Sequence, residues 1–483
     1  MQRFAGLVDG RARFAADLPV PDVVHLVPVR SPVAHAEVRA IDVDAARAMP
    51  GVVAVFTAAD LDVVPVWEIH SIDERLGQPV LAAGRVRYVG ERVAAVVADT
   101  LAHAQDAAEQ VEVRYEPLRP IATAAGAIAP DAVAVHDWCP DNVALRFRTE
   151  PPDPLPEGAC TVRGEVVMPR LAVSPMEPLS ILAEPDGDAL VLHVSTQVPG
   201  AVQIQTARSL HMPLDRVRVI APRVGGAFGG KSLGGVADYV VTAAAARLLE
   251  RPVRFTEDRT SNLITMQGRG VVLDYELVAT VDGRAQHLSV TEYCDAGAYA
   301  STNAVEPGKS HVMACGPYRI GALDFRAASV LTNRSPSGAY RGPGRSEAAM
   351  VIEGALDRLA ARLGIDPVEI RRRNLLHPAE LPDVSPGGAR RADSDFIGLL
   401  DTLVERADYA SWCTHRDTTR AASVGRRLGI GIATVIDSSA WFQRDEEAIT
   451  ELVPPRHLGA AYSIRSVLGF GSTAWNIDFA ADK

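Results

Sequence analysis

"RVGGAFGGKS", residues 223–232, sets four glycines around one phenylalanine. Read from Gly225 it matches G-x-x-x-x-G-K-S, the loop that cradles nucleotide phosphates in ATP-binding proteins. The flanks favour that reading. A strand pattern, "DRVRVIAPRV", leads in, a helical run, "ADYVVTAAAARLLE", leads out, and "VVLD" (271–274) offers a second strand tipped by an acid. Three features oppose it. Arg216 and Arg218 alternate with valines and Arg223 follows, which suits a half-exposed antiparallel strand. The strand before a phosphate loop is central in a parallel sheet and apolar throughout. "DYELVATVDGRAQ" around Asp274 has a hairpin pattern, so Asp274 does not return beside the loop. Lys231-Ser232 runs into "LGGVAD", whose glycines make a poor first turn for a phosphate-binding helix. A bare turn needs one or two glycines. Four imply main chain that must lie within hydrogen-bonding range of something bulky.

Outward from the loop, the pattern mixes helix and strand. "LSILAEPDGDALVLHVSTQ" reads as a hairpin turning at Asp186-Gly187, and "YELVATVDGRAQHLSVTEY" as another turning at Asp282-Gly283. "AVQIQTARSLHM" reads as helix, and so does "SEAAMVIEGALDRLAARLG", with Ile352, Leu356, Leu359 and Leu363 on one stripe and Gly364 as its stop. "DPVEIRRRNLL" opens a further helix, and 377–395 reads as a long polar loop. Before the loop, the first part of the chain reads as a compact α+β unit of short strands. It includes a helix, "TLAHAQDAAEQ", capped by Asp99 or Thr100. "EPPDPLPEG" (150–158) is proline-rich and acidic, and marks a connector.

The 483 residues suffice for about three domains. A net charge of -11 argues against a protein that grips nucleic acid, because phosphate backbones require a basic footprint. The five cysteines (Cys139, Cys160, Cys294, Cys315 and Cys413) are widely spaced, with no C-x-x-C. They read as reduced, mostly buried thiols that hold neither zinc nor an iron–sulfur cluster. No apolar leader precedes the first strand and no run is long enough to span a membrane, so the expected location is cytoplasmic.

Three segments then stand together: "VSTQVPG" (194–200), "VGGAFGGK" (224–231) and "AYRGPGRSEA" (339–348). With "SPMEPLSILA" (174–183), "DAGAYAS" (295–301), "GPYRI" (316–320), "TNRSPSGAYRG" (332–342) and "DPVEIRRRNLL" (366–376), they occur in an order and spacing that resembles a known family. It is the large, molybdenum-cofactor-binding subunit of the xanthine dehydrogenase/aldehyde oxidase enzymes, closest in style to the carbon monoxide dehydrogenase large subunits. The resemblance covers about residues 5–440. It implies an α+β fold: an N-terminal α/β hammerhead domain (1–128), a linker (129–158), the first, mixed α+β part of a molybdopterin-binding domain (159–400), and an incomplete start of a second such domain with a divergent tail (401–483).

The same resemblance implies a site. Gly226, Ala227, Phe228 and Gly229 match the loop whose backbone meets the oxygen ligands of molybdenum. Gln197 matches a glutamine that donates to one of those oxygens. Arg341, followed by Gly342, matches an arginine that contacts the cofactor. Their chemistry suits those roles, since a neutral amide donates without titrating and a guanidinium is a permanent, forked cation for oxyanions. The metal is held by a pterin, whose forms include one with a cytosine dinucleotide tail, and not by side chains. The implied reaction is oxidative hydroxylation of an aldehyde or N-heterocycle, with electrons leaving to 2Fe-2S and FAD groups on partner subunits. Carbon monoxide enzymes carry a copper-binding cysteine where this chain has Gly342, and purine-oxidising relatives carry a glutamate where it has Ser232.

The family's later G-Q-G loop and its G-x-G-E segment, which carries the general base, have no match, so no catalytic base is assigned; Glu177 of the "MEP" segment is not promoted to that role. From about Ala448 the sequence departs from the family. The chain is therefore expected to be incomplete alone, either as a naturally truncated or frame-shifted gene product or as the first piece of a split subunit that a second polypeptide completes. The alternatives are an inactive scaffold or assembly protein of such a complex and, as a minor reading, a nucleotide-binding P-loop protein.

Overall fold

The alternating stretches near the N-terminus become six strands: β1 (Val24–Arg30), β2 (Ala36–Asp42), β3 (Val52–Thr57), β4 (Arg85–Val86), β5 (Arg92–Ala98) and β6 (Glu112–Pro117). This computed structural model describes residues 6–67, 72–149, 160–232, 234–392, 394–422 and 427–437. β2 lies between β4 and β6 in a small antiparallel sheet. Helix Leu101–Ala108 is capped by Thr100, whose hydroxyl accepts the His103 N–H at 3.1 Å. β5 is buried at every position, between β1 and β3.

The rest of the chain adds β7 (Val143–Arg148), β8 (Cys160–Ala172), β9 (Ser180–Asp186), β10 (Ala189–Val194), β11 (Val217–Ile220), β12 (Val253–Thr256), β13 (Gln267–Ala279), β14 (Ala285–Gly297), β15 (Ala322–Leu331) and β16 (Ser337–Gly338). They form two large sheets. One runs β11-β10-β9-β12-β1-β5-β3, and the other is built on β13-β14-β15-β7, with β8 and β16 also paired to β13. Both Asp-Gly hairpins form; the first turns one residue later than expected, at Gly187-Asp188.

The first sheet crosses the expected boundary at residue 128. β1 pairs in parallel with β12, setting Val24, His25 and Leu26 against Val253, Arg254 and Phe255. Leu26 and Val97 share one core with Ile181, Leu192, Phe255 and Val240 of helix Val236–Leu249. Asp238 of that helix sits between two guanidiniums of the N-terminal strands, the partly buried Arg30 at 2.8 Å and the buried Arg92 at 2.9 Å. The hammerhead part is thus joined to the later part by sheet, core and charge. The expected linker also needs correcting, because its residues 143–148 form β7 and pair with β15. "VALRFR" alternates as a strand should, and the second sheet offers it an edge.

Behind the second sheet, helix Arg345–Leu363 buries Ile352, Leu356 and Leu359 against Leu273, Leu277 and Leu288, and ends at Gly364 in the left-handed region. The segment 377–395 is less irregular than expected. It holds a two-stranded ribbon, Asp383–Val384 with Arg390–Arg391, where the buried Arg391 donates to the Gly316 and Tyr318 carbonyls. All five cysteines are free thiols, and four are buried. Among the described residues no helix is long and apolar enough to cross a membrane. The tail expected to diverge, from Ala448, lies outside the described residues.

Candidate functional site

The glycine loop leaves β11 at the edge of the first sheet. β11 pairs in parallel with β10, not antiparallel as its half-exposed pattern suggested, because helix Pro199–Ser209 carries the chain back between the two strands. Asp274 stands on β13 in the other sheet, opposite Thr291. The loop lysine is not available to a phosphate. Lys231 is 1% exposed, and its ammonium donates to Glu177 Oε2 at 2.9 Å and Ser195 Oγ at 2.7 Å. Burial pushes its pKa down and Glu177 opposes that shift. The nucleotide-loop reading therefore fails on geometry.

Two glycines show what the loop packing demands. A Cβ on Gly225 would lie 2.6 Å from Glu177 Cβ, and one on Gly229 would lie 2.5 Å from the Ala339 carbonyl oxygen, with φ at +98° besides. Glycine is needed there for packing alone, so glycine count is weaker evidence for a ligand than the sequence suggested. Phe228, which is not a glycine, also holds a positive φ of 51° and is half exposed. Non-glycine residues held in this region concentrate where surrounding structure fixes them for a purpose.

Gln197, Phe228 and Arg341 meet at this loop. Gln197 Oε1 accepts the Gly229 N–H at 3.1 Å, and its own N–H donates to the Lys231 carbonyl at 3.2 Å. The Arg341 N–H donates to the Phe228 carbonyl at 2.9 Å. Gly230 closes the turn on the Ala227 carbonyl at 2.9 Å. Because the amide oxygen of Gln197 is taken, its Nε2 is left as a donor. Among the described residues that Nε2, the Arg341 guanidinium and the main-chain N–H groups of Gly226, Ala227 and Phe228 have no protein acceptor. Several unspent donors thus meet at the loop, the set an oxyanionic ligand requires, while among the described residues the one buried side-chain acceptor without a partner there is Glu177 Oε1.

The Arg341 segment is held from beneath. Arg269, itself at φ +63°, donates to the Arg341 carbonyl at 2.7 Å and to Ser346 Oγ at 3.1 Å, and forms a buried ion pair with Glu347. Gly342 accepts the Ser346 N–H at 3.1 Å and so starts helix Arg345–Leu363. Near Glu347 lie two further buried carboxyls. Burial, then the Glu347 charge, raises Glu292 to about 8. Burial raises Glu306 to about 7 against the pull of Lys309. Among the described residues no group of three or more histidines, cysteines and carboxylates is placed to hold a metal ion.

Sequence reasoning quoted Glu177, Ser195 and Lys231 without seeing that they bond together. Arg269 escaped it altogether, since a lone arginine in a strand pattern carries no spacing signal, and Glu347 was quoted only as part of a motif, without its partner.

A model of the family described as "Molybdopterin cofactor-binding domain" matches residues 135–375, and one described as "Aldehyde oxidase and xanthine dehydrogenase, a/b hammerhead domain" matches residues 9–119. The nicotine 6-hydroxylase large subunit of Paenarthrobacter nicotinovorans is 33% identical over 449 residues, a match taking in 90% of this chain and 54% of that protein. The carbon monoxide dehydrogenase large chain of Hydrogenophaga pseudoflava is 31% identical, over 89% of this chain and 56% of its own. Quinoline 2-oxidoreductase from Pseudomonas putida 86 shares the fold with a TM-score of 0.81 at 30% identity, covering 87% of this chain and 55% of that one. The chain thus spans little more than half the length of the curated relatives it matches. It belongs to the molybdopterin-binding large-subunit family of the xanthine dehydrogenases and aldehyde oxidases.

Proposed function

We propose that this chain supplies one wall of the cofactor site in the large subunit of a molybdenum hydroxylase that oxidatively hydroxylates an N-heterocycle or an aldehyde. The observation that carries the reading is the convergence of unspent donors: Gln197 Nε2, the N–H groups of Gly226 to Phe228, and the Arg341 guanidinium, tied together through Gly229 and the Phe228 carbonyl. When bound, the molybdenum cofactor supplies the oxygen-insertion and two-electron chemistry that side chains lack. The chain's own residues bind and orient it. The loop amides and Gln197 donate to the oxygens around the metal, and Arg341 neutralises charge on the anionic part of the group.

An N-heterocycle is the favoured substrate class, because relatives named for nicotine and quinoline share the fold and most of this chain's length. Gly342, with no side chain to ligate copper, speaks against carbon monoxide. The remaining wall and the general base belong to the part of the relatives' length that these residues do not span. Electrons pass to 2Fe-2S and FAD partner subunits in the cytoplasm. The pterin carries a nucleotide tail, cytosine dinucleotide being the form in view.

Purification with molybdenum and pterin analysis tests this. The chain alone should carry substoichiometric molybdenum. Supplying the rest of the subunit, whether fused or co-expressed, should bring molybdenum to about one per chain together with turnover of N-heterocycles. A co-purified flavin and iron–sulfur complex that lacks molybdenum in every combination would overturn the reading in favour of a scaffold.

A further inference from the structure

The geometry points to Glu177 as a positioning residue that clasps both ends of the donor loop and so sets where its free N–H groups lie. The inference rests on the cofactor reading above for its purpose, but not for its geometry. One oxygen, Glu177 Oε2, accepts three donors: the Gly225 N–H at 2.6 Å where the loop begins, the Lys231 ammonium at 2.9 Å where it ends, and the Ser195 hydroxyl at 2.8 Å from the end of β10. Main-chain bonds reinforce the clasp. The Glu177 N–H donates to the Gly225 carbonyl at 3.2 Å, and the Lys231 carbonyl accepts from Thr196 Oγ1 at 2.9 Å and from the Gln197 N–H at 3.2 Å. Three consecutive residues, Ser195, Thr196 and Gln197, thus all bond to the loop or its anchor.

Steric fit ties the same two partners together, because Gly225 has no room for a Cβ beside Glu177. The residues between the anchors, Gly226 to Gly230, span a ring closed at one carboxylate. Core stability does not require a charge here. A buried ion pair is seldom worth more to stability than an apolar pair of the same volume, and its attested use is to fix one arrangement over others. The Oε2 of Glu177 is taken up by the ammonium and two further donors, and its Oε1 is buried, so neither oxygen is presented to a substrate. The residue acts through the loop.

Three full-chain variants test the clasp: Glu177→Gln, Ser195→Ala, and the double variant Glu177→Gln with Lys231→Met. Amide hydrogen exchange is followed for 224–232 and, as the internal reference, for helix Val236–Leu249. In Glu177→Gln the amide oxygen can still face the three donors but carries no charge, so every bond of the clasp weakens and the Lys231 ammonium loses its counter-ion. Exchange of the Gly225 and Gly229 amides should rise about tenfold or more, the factor for losing a charge-assisted bond, while the helix is unmoved. Ser195→Ala keeps the pair and should give a smaller rise, about threefold. The double variant, which removes the unpaired buried charge, should restore thermal stability yet leave the loop fast-exchanging.

Loop exchange that stays at the parent value in a folded variant overturns the proposal. So does a rise shared equally by the helix, the mark of a merely structural role. If Glu177→Gln does not fold, Ser195→Ala and the double variant decide the matter by the same two criteria. Titration of the parent with inorganic molybdate, read by the same exchange, separates the two claims. A clasp that behaves as stated in a chain whose loop molybdate never protects would sink the cofactor reading and leave the clasp standing.

Discussion

Replacing Glu292 with Gln should make the protein more stable at alkaline pH and leave it nearly unchanged in mild acid. Glu292 on β14 is fully buried, neither of its oxygens has a well-formed hydrogen bond, and its pKa is raised to about 8 by burial and by Glu347. In the unfolded chain the same carboxyl titrates near 4.5. Between those values the folded state holds a proton that the unfolded state has lost, so stability falls as pH rises. The contribution is complete below the unfolded value and is lost as pH passes through the folded one. The slope is about 1.4 kcal/mol per pH unit for one group, so from pH 6 to 8 the parent should lose roughly 2–3 kcal/mol through Glu292. Gln has the size of the protonated acid and does not titrate. Urea denaturation of both proteins at half-unit steps from about pH 4 to 9 checks this. The midpoints should nearly coincide at the acid end, diverge steadily from about pH 5 and level off above about pH 8, with the variant higher. Parallel curves across the range would refute the argument, because they would mean that Glu292 is charged, or solvated, in the folded protein.

Gly229→Ala should destabilise by about 2–4 kcal/mol in thermal or urea melts, since the new methyl meets the Ala339 carbonyl at a positive φ. Arg341→Ala should leave the melt within about 0.5 kcal/mol, the side chain being exposed and unpaired among the described residues, while pterin retained after reconstitution falls at least about tenfold. Arg269→Leu strands the Glu347 carboxylate in the interior and should cost about 3–5 kcal/mol, read by denaturation; pairing it with Glu347→Met should recover most of that loss.

The elements were legible where periodicity was strong. Both Asp-Gly hairpins, the Thr100 cap and the stripe Ile352, Leu356 and Leu359 follow from local rules, and the structure places them there, with the first hairpin's turn one residue later. What pairs with what was not legible. The direction of β11 depended on the helix before it, and the partnership of β1 with β12 depended on contacts more than two hundred residues apart, which no window of sequence contains. The site divided in the same way. Gln197, Phe228 and Arg341 could be picked out because they sit in recognisable motifs. The carboxylate beneath the loop and the Arg269–Glu347 pair are ordinary residues whose importance comes only from being brought together. The glycine count misled in one respect, since packing against Glu177 and Ala339 accounts for two of the four.

The parallel seam between Val24–Leu26 and Val253–Phe255 has a bearing on how the molecule is made. During synthesis the amino-terminal portion leaves the ribosome long before its neighbouring strand exists. Until then Val24 to Leu26 present a bare hydrogen-bonding edge to the cell, and such edges recruit other chains. Cutting the gene at the hammerhead boundary would make that exposure permanent, so an expression fragment should extend past Thr256 to be handled as a soluble unit.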